Sequence, residues 1–196
     1  MGTGAREYDM TGRAAASGRT RDRLLRAARD RFLERRYDEV TLVNVADAAG
    51  VTVQTLLNHF GSKEGLLAAA SEHFVGEVDD LRGPVEPGDV DGAIDALLRH
   101  YELLGDANWR FVADSERQTS LHGLLEGARA AHREWLETVF APGLSAEGEA
   151  RDETVTALYA ITDVGTWKLL RRDLGYTLEQ TRAVLRRLIA AQLREV

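Results

Sequence analysis

Residues 41–63 read TLVNVADAAGVTVQTLLNHFGSK. Thr41 stands before an apolar-periodic segment, Leu42 to Ala49, in which Val45, Ala46 and Ala49 share one face. A threonine at that place accepts a hydrogen bond from an otherwise orphaned backbone N–H, so it starts a helix. Gly50 follows the last periodic residue, where a helix end favours a left-handed backbone. Thr52 then caps a second short segment that runs to near His59, and Gly61 breaks it. Ser62 caps a further helix carrying Leu66, Leu67 and Ala70 on its inner face. Two short helices about a glycine turn form the helix-turn-helix pattern.

Such a pattern presents the N-terminal side chains of its second helix to a DNA major groove. Short helices with threonine caps also occur in bundles that touch no DNA, and spacing alone leaves both readings open. Upstream, Leu25, Ala28 and Phe32 place one apolar stripe on a helix from about Arg21 to Arg35. Residues 1–19, rich in Gly, Ala, Thr and Arg, read as a flexible arm. The arm is either a tail without a role or a basic segment whose Arg13 and Arg19 reach a minor groove.

Downstream, Gly83-Pro84 and Pro87-Gly88 mark a boundary. Helices are expected at about Val90–Leu104, Asn108–Arg117, Ser120–Phe140 and Glu149–Asp173. Thr177 and Gln180 form a capping box for a last helix running to near Arg194. No segment shows the period of a strand. The expected architecture is all-α: a three-helix head with the helix-turn-helix at residues 20–67, and a C-terminal helical bundle for ligand binding and dimerisation at 68–196.

The net charge of −7 argues at first against a nucleic-acid partner. Its distribution argues the other way. Residues 13–63 carry ten Lys/Arg against six Asp/Glu, whereas residues 71–196 carry 14 against 23. A protein that meets phosphate with one end needs positive charge only there. The chain has no cysteine, which excludes disulfides and thiolate zinc sites and fits a reducing cytoplasm. It has no apolar run of about 18 residues and no secretory h-region, so no membrane span is expected. HExxH, GxSxG, P-loop and GxGxxG motifs are absent, and a thiol nucleophile is impossible. The reading is therefore not an enzyme, with no cofactor.

The residues themselves resemble a known family. Leu24-Leu25-Arg26-Ala27-Ala28 through Phe32, Tyr37, Thr41, Val45-Ala46, Ala48-Ala49-Gly50-Val51-Thr52, Thr55-Leu56, His59-Phe60 and Ser62-Lys63-Glu64 are similar, collinearly over about 45 residues, to the head of TetR-type transcriptional regulators. Beyond the head the likeness is one of length and helical layout. The resemblance implies that Thr41 and Thr52 donate hydroxyls to phosphates and that Lys63 clamps another. It sets Val53, Gln54, Thr55 and Asn58 at the groove, with Gln54 and Asn58 suited to base edges, adenine above all. It gives His59 a phosphate contact or a packing role. Phe32 and Phe60 belong to the core.

Three positions depart from the family pattern. Leu57 stands where a phosphate-binding tyrosine is common, Gln54 where a small residue is usual, and Arg36 where glycine often precedes the aromatic Tyr37. Loss of one neutral hydroxyl contact costs about 0.5–1.5 kcal/mol.

By resemblance, the last two helices pair with their symmetry mates, giving a homodimer matched to half-sites about 34–36 Å apart. The expected partners are a double-stranded palindromic operator and a small-molecule effector that releases the protein from it. The effector pocket would lie among the fourth to eighth helices. Tyr101, Trp109, Phe111, Trp135 and Trp167 are its candidate aromatics, beside the alternative that each fills the core. His122 joins them as a candidate polar residue, with His100 and His132 considered too. A second reading keeps the helical dimer but removes operator binding and acts through protein partners; Leu57 keeps it open.

Overall fold

A computed structural model describes the backbone of residues 4–145 and 147–193. Every regular element among the described residues is helical. In order the α-helices are α1 (Gly4–Glu34), α2 (Leu42–Ala48), α3 (Val53–Phe60), α4 (Lys63–Arg82), α5 (Val90–Ser115), α6 (His122–Val139), α7 (Glu149–Thr162), α8 (Val164–Lys168) and α9 (Leu178–Ala190), with short 3-10 and π turns between some of them. The chain divides into two compact units, Met1–Phe74 and Val75–Val196. The division falls inside α4, beyond the boundary expected at residue 67, because Leu66 and Ala70 still pack in the first unit's core.

That first core gathers Leu24, Leu25 and Ala28 of α1, Val45 and Ala46 of α2, and Leu56 of α3, with Phe32 and Phe60 partly buried against it. The inward faces expected of these helices are the faces that pack. Helix α1, however, begins at Gly4, not near Arg21. The stretch read as an arm contains no proline and is rich in Ala and Arg, whose helix propensity carries the helix upstream through Gly12 and Gly18. The side chain of Arg13 lies outside the described residues; Arg19 is exposed.

In the second unit, α5, α6, α7, α8 and α9 enclose a core that includes Ile94, Leu97, Tyr101, Leu136, Leu158, Trp167 and Ile189. Two expected breaks are absent or displaced. The helices expected at Val90–Leu104 and Asn108–Arg117 are one, α5, which passes through Gly105 without ending. Gly105 serves packing there: a Cβ at this position would stand 2.5 Å from the Trp167 ring. Conversely, the helix expected over Glu149–Asp173 breaks at Asp163, whose backbone is extended and whose carboxylate accepts the Gly165 N–H at 2.7 Å. An aspartate that bonds its own neighbouring backbone competes with the helix ladder and starts a new one. After α8 the chain makes a π-helical turn, Leu169–Asp173. The Thr177–Gln180 capping box opens α9 as expected. No helix among the described residues is long and apolar enough to cross a membrane.

Candidate nucleic-acid interface

The helix-turn-helix is built by its caps. Thr41 Oγ1 accepts the Asn44 N–H at 3.1 Å and begins α2. Gly50, at φ 65°, then reverses the chain, and the Val51 N–H reaches back to the Ala46 carbonyl at 3.0 Å. This left-handed closure satisfies carbonyls that α2 leaves unpaired. Thr52 Oγ1 accepts the Thr55 N–H at 3.2 Å and lies 3.0 Å from Thr55 Oγ1. Ser62 Oγ accepts the Gly65 N–H at 3.0 Å at the start of α4.

Both cap threonines act as acceptors toward the backbone. The Thr41 hydroxyl proton therefore remains to be donated, and so does that of Thr52 when Thr55 donates to it. Both residues are exposed. Along α3, Leu56 is fully buried, whereas Thr52, Gln54 and Asn58 are exposed. Thr55 and His59 are half-buried, the latter with its ring 6.0 Å from that of Phe60. Val53 is also half-buried and packs partly against the head core. Gln54 and Asn58 share a face and are hydrogen-bonded to each other at 2.9 Å.

Lys63 is tied more closely than its sequence position suggests. Its Nζ donates to the Tyr37 carbonyl and lies 4.0 Å from the centre of the Tyr37 ring. Burial lowers its pKa from the usual lysine value, against the opposing fields of Glu64 and Asp38. The Tyr37 hydroxyl in turn donates to Glu64 Oε1 at 2.9 Å. An ammonium has three donors, so this tether leaves Lys63 able to meet a phosphate. Arg36 has φ −66°, a conformation open to any residue, which explains why glycine is not required there.

The six residues expected around an effector separate. Tyr101 and Trp167 are buried, their ring centroids 6.0 Å apart, and half-buried Trp135 packs against the same core. Tyr101 donates to the Thr162 carbonyl at 2.9 Å and Trp167 Nε1 to Glu102 Oε1 at 2.9 Å. Trp109 instead is exposed, with Lys168 Nζ 5.2 Å above its ring; Phe111 is half-buried outside that core, and His122 is exposed. His100 and His132, whose usual place would be the surface or a helix cap, are buried, and desolvation together with the Arg82 charge pushes each pKa down to about 3.

Sequence reasoning did not single out Arg82. This last residue of α4 is only 6% exposed. A basic residue before Gly83-Pro84 reads as a solvated complement to the helix dipole, and nothing local signals that its side chain turns inward.

Residues 24–70 match the sequence pattern of a family described as bacterial regulatory proteins, tetR family. The HTH-type transcriptional regulator AlkX of Mycobacterium tuberculosis is 32% identical over 108 residues, 55% of this chain. The match spans about half of that relative, 47% of its length. Among solved structures, a transcriptional regulator from Rhodococcus sp. Rha1 superimposes with a TM-score of 0.68 at 21% identity, covering 87% of this chain and 94% of that one. A second Rhodococcus protein, assigned to the TetR family, gives 0.68 at 20% identity over 90% and 100% of the two chains. At such identity the structural likeness speaks for the fold alone, and it extends well beyond the head. The family pattern is thus seated on the capped helix-turn-helix, and residues 24–70 of this chain are similar to the tetR family of bacterial regulatory proteins.

Proposed function

We propose that the protein is a ligand-responsive DNA-binding transcriptional regulator, a repressor that binds a palindromic operator as a homodimer and is released by a small molecule. The observation that carries this reading is the presentation of α3: a capped helix of eight residues with Leu56 anchored in the core and Thr52, Gln54 and Asn58 turned to solvent. In this reading Thr41, Thr52 and Lys63 hold phosphates, Gln54, Asn58 and Thr55 face base edges, and His59 steadies the end of α3. Val53 contributes an apolar edge. The positive charge of residues 13–63 supports it, since phosphate contacts dominate affinity for DNA.

Dimerisation through the last two helices is supported by apolar side chains left in solvent on that part of the chain. Leu169 is 49% exposed, Leu174 54%, Leu178 47% and Leu188 40%. A two-fold dimer presents two α3 helices to successive major grooves. An effector acts by binding the DNA-incompetent shape more tightly than the competent one.

Selection of bound duplexes from a random DNA library, with affinities measured at two salt concentrations, tests the reading. A palindromic consensus whose affinity falls steeply with salt is expected. A folded dimer that enriches no sequence would instead favour action through protein partners, in keeping with Leu57 at the usual tyrosine position.

A further inference from the structure

The C-terminal unit buries a cation, Arg82, that makes no direct ion pair among the described residues, Asp79 acting on it only through its field. The Arg82 carbonyl accepts from Arg99 Nη2 at 2.6 Å, which fixes the end of α4, and the Arg82 side chain is buried. None of the ion pairs among the described residues includes it. Its Nε has no hydrogen-bond partner. Buried charges are ordinarily paired, because removal from water without compensation is costly.

The groups around Arg82 sharpen the deficit. The Thr162 hydroxyl donates to the Leu158 carbonyl at 2.7 Å, so its oxygen accepts from His132 Nε2–H at 3.0 Å. His132 Nδ1 is then the acceptor for Arg82 Nη2 at 3.1 Å. His100 differs. Its Nδ1 lies 3.4 Å from Arg82 Nη2, longer than the His132 contact, and its Nε2 lies 3.0 Å from the Asn108 side-chain amide. Arg82 Nε–H thus lacks an acceptor, and the His100 ring stands beside it on the same guanidinium. A carboxylate supplies two oxygens in the spacing of the guanidinium fork and lone pairs to spare for the imidazole. A neutral amide or alcohol supplies one acceptor and no compensating charge.

The walls suit an organic acid. The half-buried Trp135 ring lies 4.5 Å from the Arg82 guanidinium carbon, and the Tyr159 ring meets His132 edge-on at 5.1 Å. Arg82 is sealed while Trp135 and Tyr159 keep partial exposure, and of these two it is the indole that lies against the guanidinium.

The geometry points to Arg82 and His100 as the site for the carboxylate of a small organic acid, with Trp135 as the side chain displaced on entry. This rests on the reading of the C-terminal unit as effector-binding and names the effector's chemical class.

The test uses the full chain without DNA. Thermal unfolding and tryptophan fluorescence are followed with benzoate, phenylacetate and octanoate, and with benzamide and octanol as uncharged counterparts. At least one acid is expected to raise the melting temperature and change the fluorescence, and its uncharged counterpart to do neither. Arg82→Met is expected to abolish the response without melting below the wild-type protein, since it removes an unpaired buried charge. Arg82→Lys, which keeps the charge but loses the fork, is expected to weaken binding about tenfold or more. No response to any of the three acids overturns the proposal. So does an undiminished response in Arg82→Lys, a comparison that still holds if Arg82→Met folds poorly. Operator binding plays no part in these measurements. Acid binding that leaves a protein–operator complex intact would uphold the site and refute release by ligand.

Discussion

Gln54 Nε2 donates to Asn58 Oδ1 at 2.9 Å across one turn of α3, so the two amides best suited to base reading are already paired with each other. The pairing leaves the Gln54 Oε1 acceptor and the Asn58 Nδ2 donor free of it. That combination matches the N6–H and N7 edge of adenine. The two residues are expected to act as one reader. Each single change to alanine should cost about 1–3 kcal/mol on the selected duplex. The double change should cost less than the sum, by about 0.5 kcal/mol or more. Binding measurements on the two single variants and the double variant check this; simple additivity would show that the amides read independently.

Lys63 joins two roles that a substitution would separate. Its ammonium is held by the Tyr37 carbonyl and ring, and it stands at the start of α4 where a phosphate is expected. Lys63→Ala should weaken binding to all DNA sequences alike and lower the salt slope by about one. It should also loosen the head, since a cation–π contact contributes about 0.5–1 kcal/mol at an exposed site. Denaturation measured beside DNA titration distinguishes the two effects. An unchanged salt slope would remove Lys63 from the phosphate contacts.

The head was legible because its signals are local. Thr41, Gly50, Thr52 and Ser62 each act within a few residues of themselves, and the structure uses each at the expected position. The second unit was less legible because its decisive contacts are distant. Gly105 reads locally as a helix terminator, yet it lies under Trp167, more than sixty residues away in sequence. Asp163 reads as one more polar residue in a helix, yet its carboxylate breaks it. The inward turn of Arg82 depends on His100, His132 and Trp135, which belong to two other helices. Aromatic bulk alone could not separate Trp167, which is buried, from Trp109, which is not.

Gly105→Ala tests the α5–α8 contact directly. The added Cβ would stand 2.5 Å from Cη2 and Cζ3 of a rigid, buried indole, a distance that forces the helices apart or tilts the ring. Overpacking of this kind costs about 1–3 kcal/mol. The gain of about 1 kcal/mol that alanine usually brings to a helix interior should therefore be reversed. Chemical denaturation is the measurement, and a stabilised variant would show that Trp167 has room to yield.

His100 and His132 predict an acid-sensitive C-terminal unit. Burial and the Arg82 charge depress both pKa values to about 3, against an unfolded value near 6.5. Both rings are neutral in the folded protein near neutral pH and take up protons on unfolding below about pH 6.5. The unfolded state then binds more protons, so stability falls as the pH drops from about 6.5 toward 3 and is fully present above that window. The loss attributable to the pair is on the order of several kcal/mol. Desolvation, named first among the causes for each, would act with Arg82 replaced, so the slope should shrink in Arg82→Met without vanishing. His132→Gln keeps an acceptor for Arg82 and a donor for Thr162 but cannot titrate. Stability measured at several values between pH 7 and 4 should therefore fall less steeply in His132→Gln than in the wild-type protein. Parallel profiles would mean that His132 is protonated in the folded state after all, or that its burial is relieved before the protein unfolds.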